Sequence, residues 1–208
     1  GVARRKIRTA FRRALDEQRA FARQLRELNG GILRRSRDAG RLTLLVAGRP
    51  YHADPLIQHK IAEMVAGMGV DVITDDIVRG ENISTADTHY VAQWAYANRI
   101  LRAAAWASRQ DRNVQFVELT SFGCGPDALL TDEVRDLLGR HGKSLTLLKI
   151  DDVSNTGSLK LRIRSLIESL KLGHASQAAP RPFVTTPDFG ERDRKRKILV
   201  PLDRKSVV

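Results

Sequence analysis

The sequence predicts an α/β fold: an open parallel sheet of about four strands with helices on both faces, preceded by a long basic helix. Three observations predict it. Four short apolar runs recur along the chain, amphipathic stretches of helical period separate them, and a Lys/Arg-rich helical segment comes first. Continuous apolar runs suit strands covered on both faces, and strands alternating with helices imply parallel βαβ units with right-handed crossovers.

Taking the elements in order, residues 3–28 place Ile7, Phe11, Ala14, Gln18, Phe21, Leu25 and Leu28 near one face. Spacing of three and four predicts an amphipathic helix, and Asn29-Gly30-Gly31 is the expected stop. LTLLVAG (42–48), VDVIT (70–74), VQFVEL (114–119) and LTLLKI (145–150) are the predicted strands. Residues 55–68 are a predicted helix, with Leu56/Ile57, Ile61, Met64/Val65 and Met68 on one face and Gly69 as C-cap. Residues 93–108, 132–140 and 157–171 are predicted helices too. This arrangement is Rossmann-like. The expected organisation is a basic helical segment (1–40), the α/β domain (41–173), and a linker leading into a following domain (174–208). The chain therefore reads as a piece of a longer protein.

The 208 residues carry 36 Lys/Arg against 24 Asp/Glu, a net charge of +12. Residues 1–41 hold 13 Lys/Arg and 4 Asp/Glu, and residues 181–208 hold 8 and 4, so the central domain is close to neutral. A nucleic-acid surface wants stacking aromatics or a reading helix beside its cations, and only 5% of the residues are aromatic. Nucleic acid is therefore not the expected partner. The basic flanks are expected to cover acidic surfaces elsewhere in the parent. No apolar run approaches the roughly 20 residues of a membrane span, and the charged N-terminus lacks a signal-peptide apolar region. A single cysteine excludes an internal disulfide framework and fits a reducing, cytoplasmic setting.

In an open parallel sheet, ligands sit beyond the carboxyl ends of the strands. Each predicted strand runs there into a polar loop: GRPYHADP (48–55), DDIVRGENISTADTHY (75–90), SFGCGPD (121–127) and DDVSNTGS (151–158). Asp54 before Pro55 reads as a helix N-cap. Arg49 and His52 are not explained by capping and are candidates to touch an anionic ligand, a cluster or a neighbouring domain. DDVSNTGS lacks the Lys and glycine spacing of a P-loop and reads as a cap. Cys124, the sole thiol, has three readings, taken in this order: a turn residue in Gly-Cys-Gly-Pro, a metal ligand, or a nucleophile favoured by the following helix N-terminus. A cubane cluster takes four thiolates, so this chain does not hold one unaided.

VAGRPYHADPLIQHKI, GVDVITDD, QFVELTSFGCGPDALLTDEV and GKSLTLLKIDDVSNTGSLKLRIRSLIESL together resemble the later part of large bacterial CoA-substrate-specific enzyme activases, related to 2-hydroxyglutaryl-CoA dehydratase and its activator. The resemblance spans about residues 42–171. It implies a non-autonomous domain of a parent that performs ATP-driven low-potential electron transfer, with ATP bound only in other domains. It implies partners in other domains of the same polypeptide and in a 2-hydroxyacyl-CoA dehydratase-type electron acceptor. By analogy, Cys124 becomes one ligand of a [4Fe-4S] cluster in the parent, with Arg49, His52, Ser121 and Asp127 as the cofactor-binding neighbours. No cofactor is expected in this chain alone. The alternative is a module binding CoA or another phosphate-bearing molecule, with a purely structural Cys124; a cysteine hydrolase ranks behind both.

Overall fold

The computed structural model describes residues 2–89, 94–121, 123, 125–150, 157–172 and 181–183. It is an α/β protein with one parallel sheet and a long N-terminal helix. The strands are β1 (Thr43–Ala47), β2 (Asp71–Thr74), β3 (Val114–Thr120) and β4 (Thr146–Lys149), in the order β2-β1-β3-β4. The helices are α1 (Arg4–Asp38), α2 (Ile61–Ala66), α3 (Ala95–Ser108), α4 (Gly125–Arg140) and α5 (Gly157–Lys171). Short 3-10 turns, Pro50–Ala53 and Asp75–Val78, follow β1 and β2.

All three strand pairs are parallel, with Leu45 opposite Ile73 on one side and Phe116 on the other, and Leu119 opposite Leu148. The side-chain period of two divides the core. Leu45, Ala47, Val114 and Phe116 join Leu33 of α1 and the inner faces of α3 and α4. Leu44, Val117, Leu119 and Leu148 join Ile61 and Val65 of α2 and Ile163 and Ile167 of α5. Burial on both faces is why most of β1 and β3 is apolar, with Gln115 and Glu118 as exceptions in β3, whereas the edge strands β2 and β4 are only part-buried.

Three local expectations are corrected. Helix α1 does not stop at Asn29-Gly30-Gly31 but runs to Asp38. Asn29 is buried; its amide donates to Leu25 O at 2.8 Å, and its Oδ1 accepts from the Thr74 N–H at 2.6 Å. Packing of Asn29, Leu33 and Ser36 onto the domain outweighs the helix cost of two glycines, about 1 kcal/mol each. The true end is at Gly40 (φ +62°), where Gly40 N–H bonds Arg37 O and Arg41 N–H bonds Ser36 O, a Schellman motif.

The predicted helix 55–68 is helical only over Ile61–Ala66. His59 and Lys60 both have left-handed backbone (φ +53° and +55°), which interrupts propagation and leaves Leu56 exposed. Conversely, α4 begins at Gly125, seven residues before the predicted start. Pro126 suits a first turn, and Asp127 there complements the helix dipole.

Candidate functional site

The strand order reverses direction at β1: the chain goes from β1 to β2 on one side and on to β3 on the other. The crevice between the carboxyl ends of β1 and β3 is the switch point, where the loops diverge and leave room for a ligand. The loops 48–55 and 121–127 flank it.

Local construction starts at Gly48. A Cβ there would lie 2.6 Å from His52 Nδ1 and 3.2 Å from the Leu119 carbonyl, so only glycine lets the imidazole fold back under the strand end. The Pro50–Ala53 turn then returns the buried His52 ring onto its own loop. The Arg49 N–H donates to Nδ1 at 3.1 Å. Nδ1 is therefore an unprotonated acceptor, and Nε2–H is left to donate to Ser121 Oγ, 2.8 Å away. Burial depresses the His52 pKa, and the Arg49 charge adds to this while Asp127 opposes it. The ring is neutral at neutral pH.

The Arg49 guanidinium crosses the crevice and pairs with the Asp127 carboxylate in the first turn of α4. The four residues singled out as cofactor-binding candidates, Arg49, His52, Ser121 and Asp127, are thus in one cluster, and two side-chain bonds tie the β1 loop to the β3 loop. The bonds grip Ser121 and Asp127, on either side of Cys124. Cys124 itself lies outside the described residues, as does most of DDVSNTGS. Asp54 makes the local bonds of a cap, its Oδ1 accepting from the Leu56 N–H at 2.8 Å and the Ile57 N–H at 3.3 Å, but the helix expected to start there does not: α2 begins at Ile61, with Lys60 at its N-cap.

Residues that sequence reasoning missed surround this cluster. Glu118 of β3 is buried, and its Oε1 accepts from Thr131 Oγ1 of α4 at 3.2 Å. Among the described residues its Oε2 has no hydrogen-bond partner. Burial raises its pKa to about 7; the Thr131 bond and Arg135 pull it down and Asp127 pushes it up. The signal was available: a glutamate inside VQFVEL, a strand predicted to be covered on both faces, has to be buried.

On the β2 side, Asp75 receives two bonds from Arg99 of α3, from Nε at 2.6 Å and Nη2 at 2.9 Å. Burial raises the Asp75 pKa despite those bonds. Arg99 gave no sequence signal, since one arginine on a helix reads as solvated. Together Gly48, Arg49, His52, Asp75 and Arg99 line a cleft of about 130 Å³.

Among the described residues no group of three His, Cys, Asp or Glu is placed to hold a metal ion. A cubane cluster needs four ligands, and this chain offers one cysteine, so its residues do not fit a complete [4Fe-4S] site. No described helix is long and apolar enough to cross a membrane.

Comparison with known proteins adds one finding. No curated protein matches the chain, and no solved structure matches it. A family model matches residues 1–78, that is α1, β1, α2, β2 and the Asp75–Val78 turn. The match takes in the N-terminal helix, which lies outside the 42–171 span of the resemblance, and stops short of α3, β3, α4, β4 and α5. Arg49, His52 and Asp75 lie within it, and the family it assigns to residues 1–78 is the CoA enzyme activase uncharacterised domain, the same activase family that the sequence resembles.

Proposed function

We propose that this chain is a non-autonomous domain of an activase-type protein, and that its β1/β3 rim forms one wall of a composite site serving ATP-driven low-potential electron transfer. ATP is handled in other domains of the parent. The observation that carries the reading is the double brace: His52 holds Ser121 and Arg49 holds Asp127, so the loop with the only thiol is fixed at both ends. Such bracing is what a presented side chain requires, because a ligand or reactive group must be held to within a fraction of an ångström by its supporting shell.

Under this reading Cys124 supplies one thiolate and groups outside these residues supply the others. The parent's acceptor is of the 2-hydroxyacyl-CoA dehydratase type. The test is anaerobic iron–sulfur reconstitution of a full-length activase-type polypeptide containing this chain, with Cys124 and with Cys124→Ser. A loss of iron, or a changed reduced-state EPR signal, in the variant supports the reading. Unchanged iron and signal remove Cys124 from the site.

A second reading is favoured by the cleft between Arg49 and Arg99: the rim binds CoA or another phosphate-bearing molecule. It predicts that CoA raises the thermal midpoint of the 208-residue chain, and that Cys124→Ser leaves this rise intact.

A further inference from the structure

Helix α1 has 35 residues and is about 50 Å long, yet only its last third packs on the domain, through Asn29, Leu33 and Ser36. The apolar stripe does not end where packing ends. Ile7, Phe11, Ala14, Gln18, Phe21, Leu25, Leu28 and Ile32 alternate spacings of four and three, with Gln18 the one polar member of the stripe. This is a seven-residue repeat, the seam of helix-on-helix packing. Ile32 packs against the domain core, whereas Ile7, Phe11, Phe21 and Leu28 are 56%, 63%, 57% and 59% exposed.

A second row shares the register. Arg5, Arg12, Arg19 and Arg26 recur every seven residues on one side of the helix, one row out from the seam, with Arg8, Leu15 and Ala22 between. The last of them shows what the row takes: Arg26 Nη1 pairs at 2.8 Å with the Glu81 carboxylate, beyond β2. Arg19 reaches only Asp16, one turn back on its own helix.

We propose that the N-terminal part of α1 docks an acidic amphipathic protein helix, with an apolar stripe for the seam and Asp/Glu at seven-residue spacing for the arginine row. Residues 4–28 carry nine Lys/Arg and three Asp/Glu, so a second copy of α1 would set like charge against like along the whole seam. An anionic lipid surface fits less well. The other flank mixes Glu17 and Glu27 with Lys6 and Arg13, whereas an interfacial helix carries a uniformly cationic polar face. This inference is independent of the role of Cys124.

The experiment titrates the 208-residue chain with two synthetic four-heptad helical peptides that share a leucine seam. One carries Glu and the other Lys at the flanking positions, and binding is read by fluorescence anisotropy. The Glu peptide binds, and the Lys peptide binds at least about tenfold more weakly. Arg12→Glu/Arg19→Glu reverses that preference. Phe11→Ser/Phe21→Ser weakens the Glu peptide by at least about tenfold. Both variants keep the thermal midpoint of the parent chain, because the altered side chains are exposed. Equal binding of the two peptides, or of neither, overturns the proposal. So does a concentration-dependent dimer in sedimentation that the Phe variant abolishes, which would identify a second copy as the occupant. Preference for phosphatidylserine vesicles over the Glu peptide would identify lipid instead.

Discussion

Replacing Glu118 by Gln tests whether a protonated carboxyl lies beneath the rim. The folded-state pKa is about 7, against an ordinary value of 4.5. A carboxyl raised in this way binds its proton more tightly in the folded chain than in the unfolded one. Its stabilising contribution is fully present below about pH 4.5. It is lost as the pH rises toward 7, because the unfolded chain ionises first. At about 1.4 kcal/mol per pH unit over a window of about 2.5 units, the whole loss is about 3.5 kcal/mol. Glutamine is nearly isosteric, keeps an oxygen for Thr131 Oγ1 and does not titrate. Urea unfolding of both proteins from about pH 5 to pH 8 therefore has Glu118→Gln gaining about 2–3 kcal/mol on the parent across the range. His52, Asp75 and the other titrating groups are present in both proteins, so their contributions cancel in the difference. Parallel stability curves would refute the reasoning: Glu118 would then be ionised in the fold, and its burial less complete than the packing implies.

Gly48→Ala puts a Cβ into the His52 ring and the Leu119 carbonyl, so it costs about 1–3 kcal/mol in urea unfolding and displaces the imidazole, seen as an altered His52 NMR signal. Arg99→Met strands the buried Asp75 carboxylate and costs about 3–5 kcal/mol; adding Asp75→Asn recovers a large part of the loss, and the double-mutant cycle measures this coupling. His52 titrates below 6.5 in NMR, as the Nε2–H tautomer. Its depressed pKa makes the unfolded chain bind the proton first, so the stability it contributes is present above pH 6.5 and lost as the pH falls. A His52 midpoint at or above 6.5 would contradict the burial described here.

The four strands were legible because burial keeps β1 almost wholly apolar and the other three rich in Val, Leu, Ile and Phe, a density that loops do not carry. Arg49 and His52 were singled out because capping did not explain them, yet His52 does cap: its Nδ1 accepts from the Arg49 N–H across the Pro50–Ala53 turn, and only its Nε2 is left for Ser121. The course of α1 through Asn29-Gly30-Gly31 was not, since its cause is a bond from Asn29 to Thr74 across 45 residues. Local propensity contains no term for such a partner. The break at His59-Lys60 was hidden for the opposite reason: Leu56 and Ile57 keep helical period although the backbone does not follow it. Arg99 and Asp75 meet only once α3 packs beside the end of β2, so neither position alone marks the pair.

The charge balance of the rim favours scaffold over open anion trap. Arg49 carries a positive charge and faces Asp127, which carries the matching negative one. His52 is neutral because burial and, after it, the Arg49 charge lower its pKa, and Glu118 is held near neutrality by burial. The cluster therefore sums to about zero before anything binds. A phosphate-bearing ligand would have to displace Asp127 from Arg49, exchanging one ion pair for another, and the exchange would strand the Asp127 carboxylate next to Glu118. Such an exchange gives little net gain unless Asp127 also finds a new partner. A group that makes no demand on Arg49, presented from the loop between Ser121 and Asp127, leaves both braces in place. This is why the His52–Ser121 and Arg49–Asp127 bonds argue first for fixing Ser121 and Asp127 in place, and only second for binding a free anion.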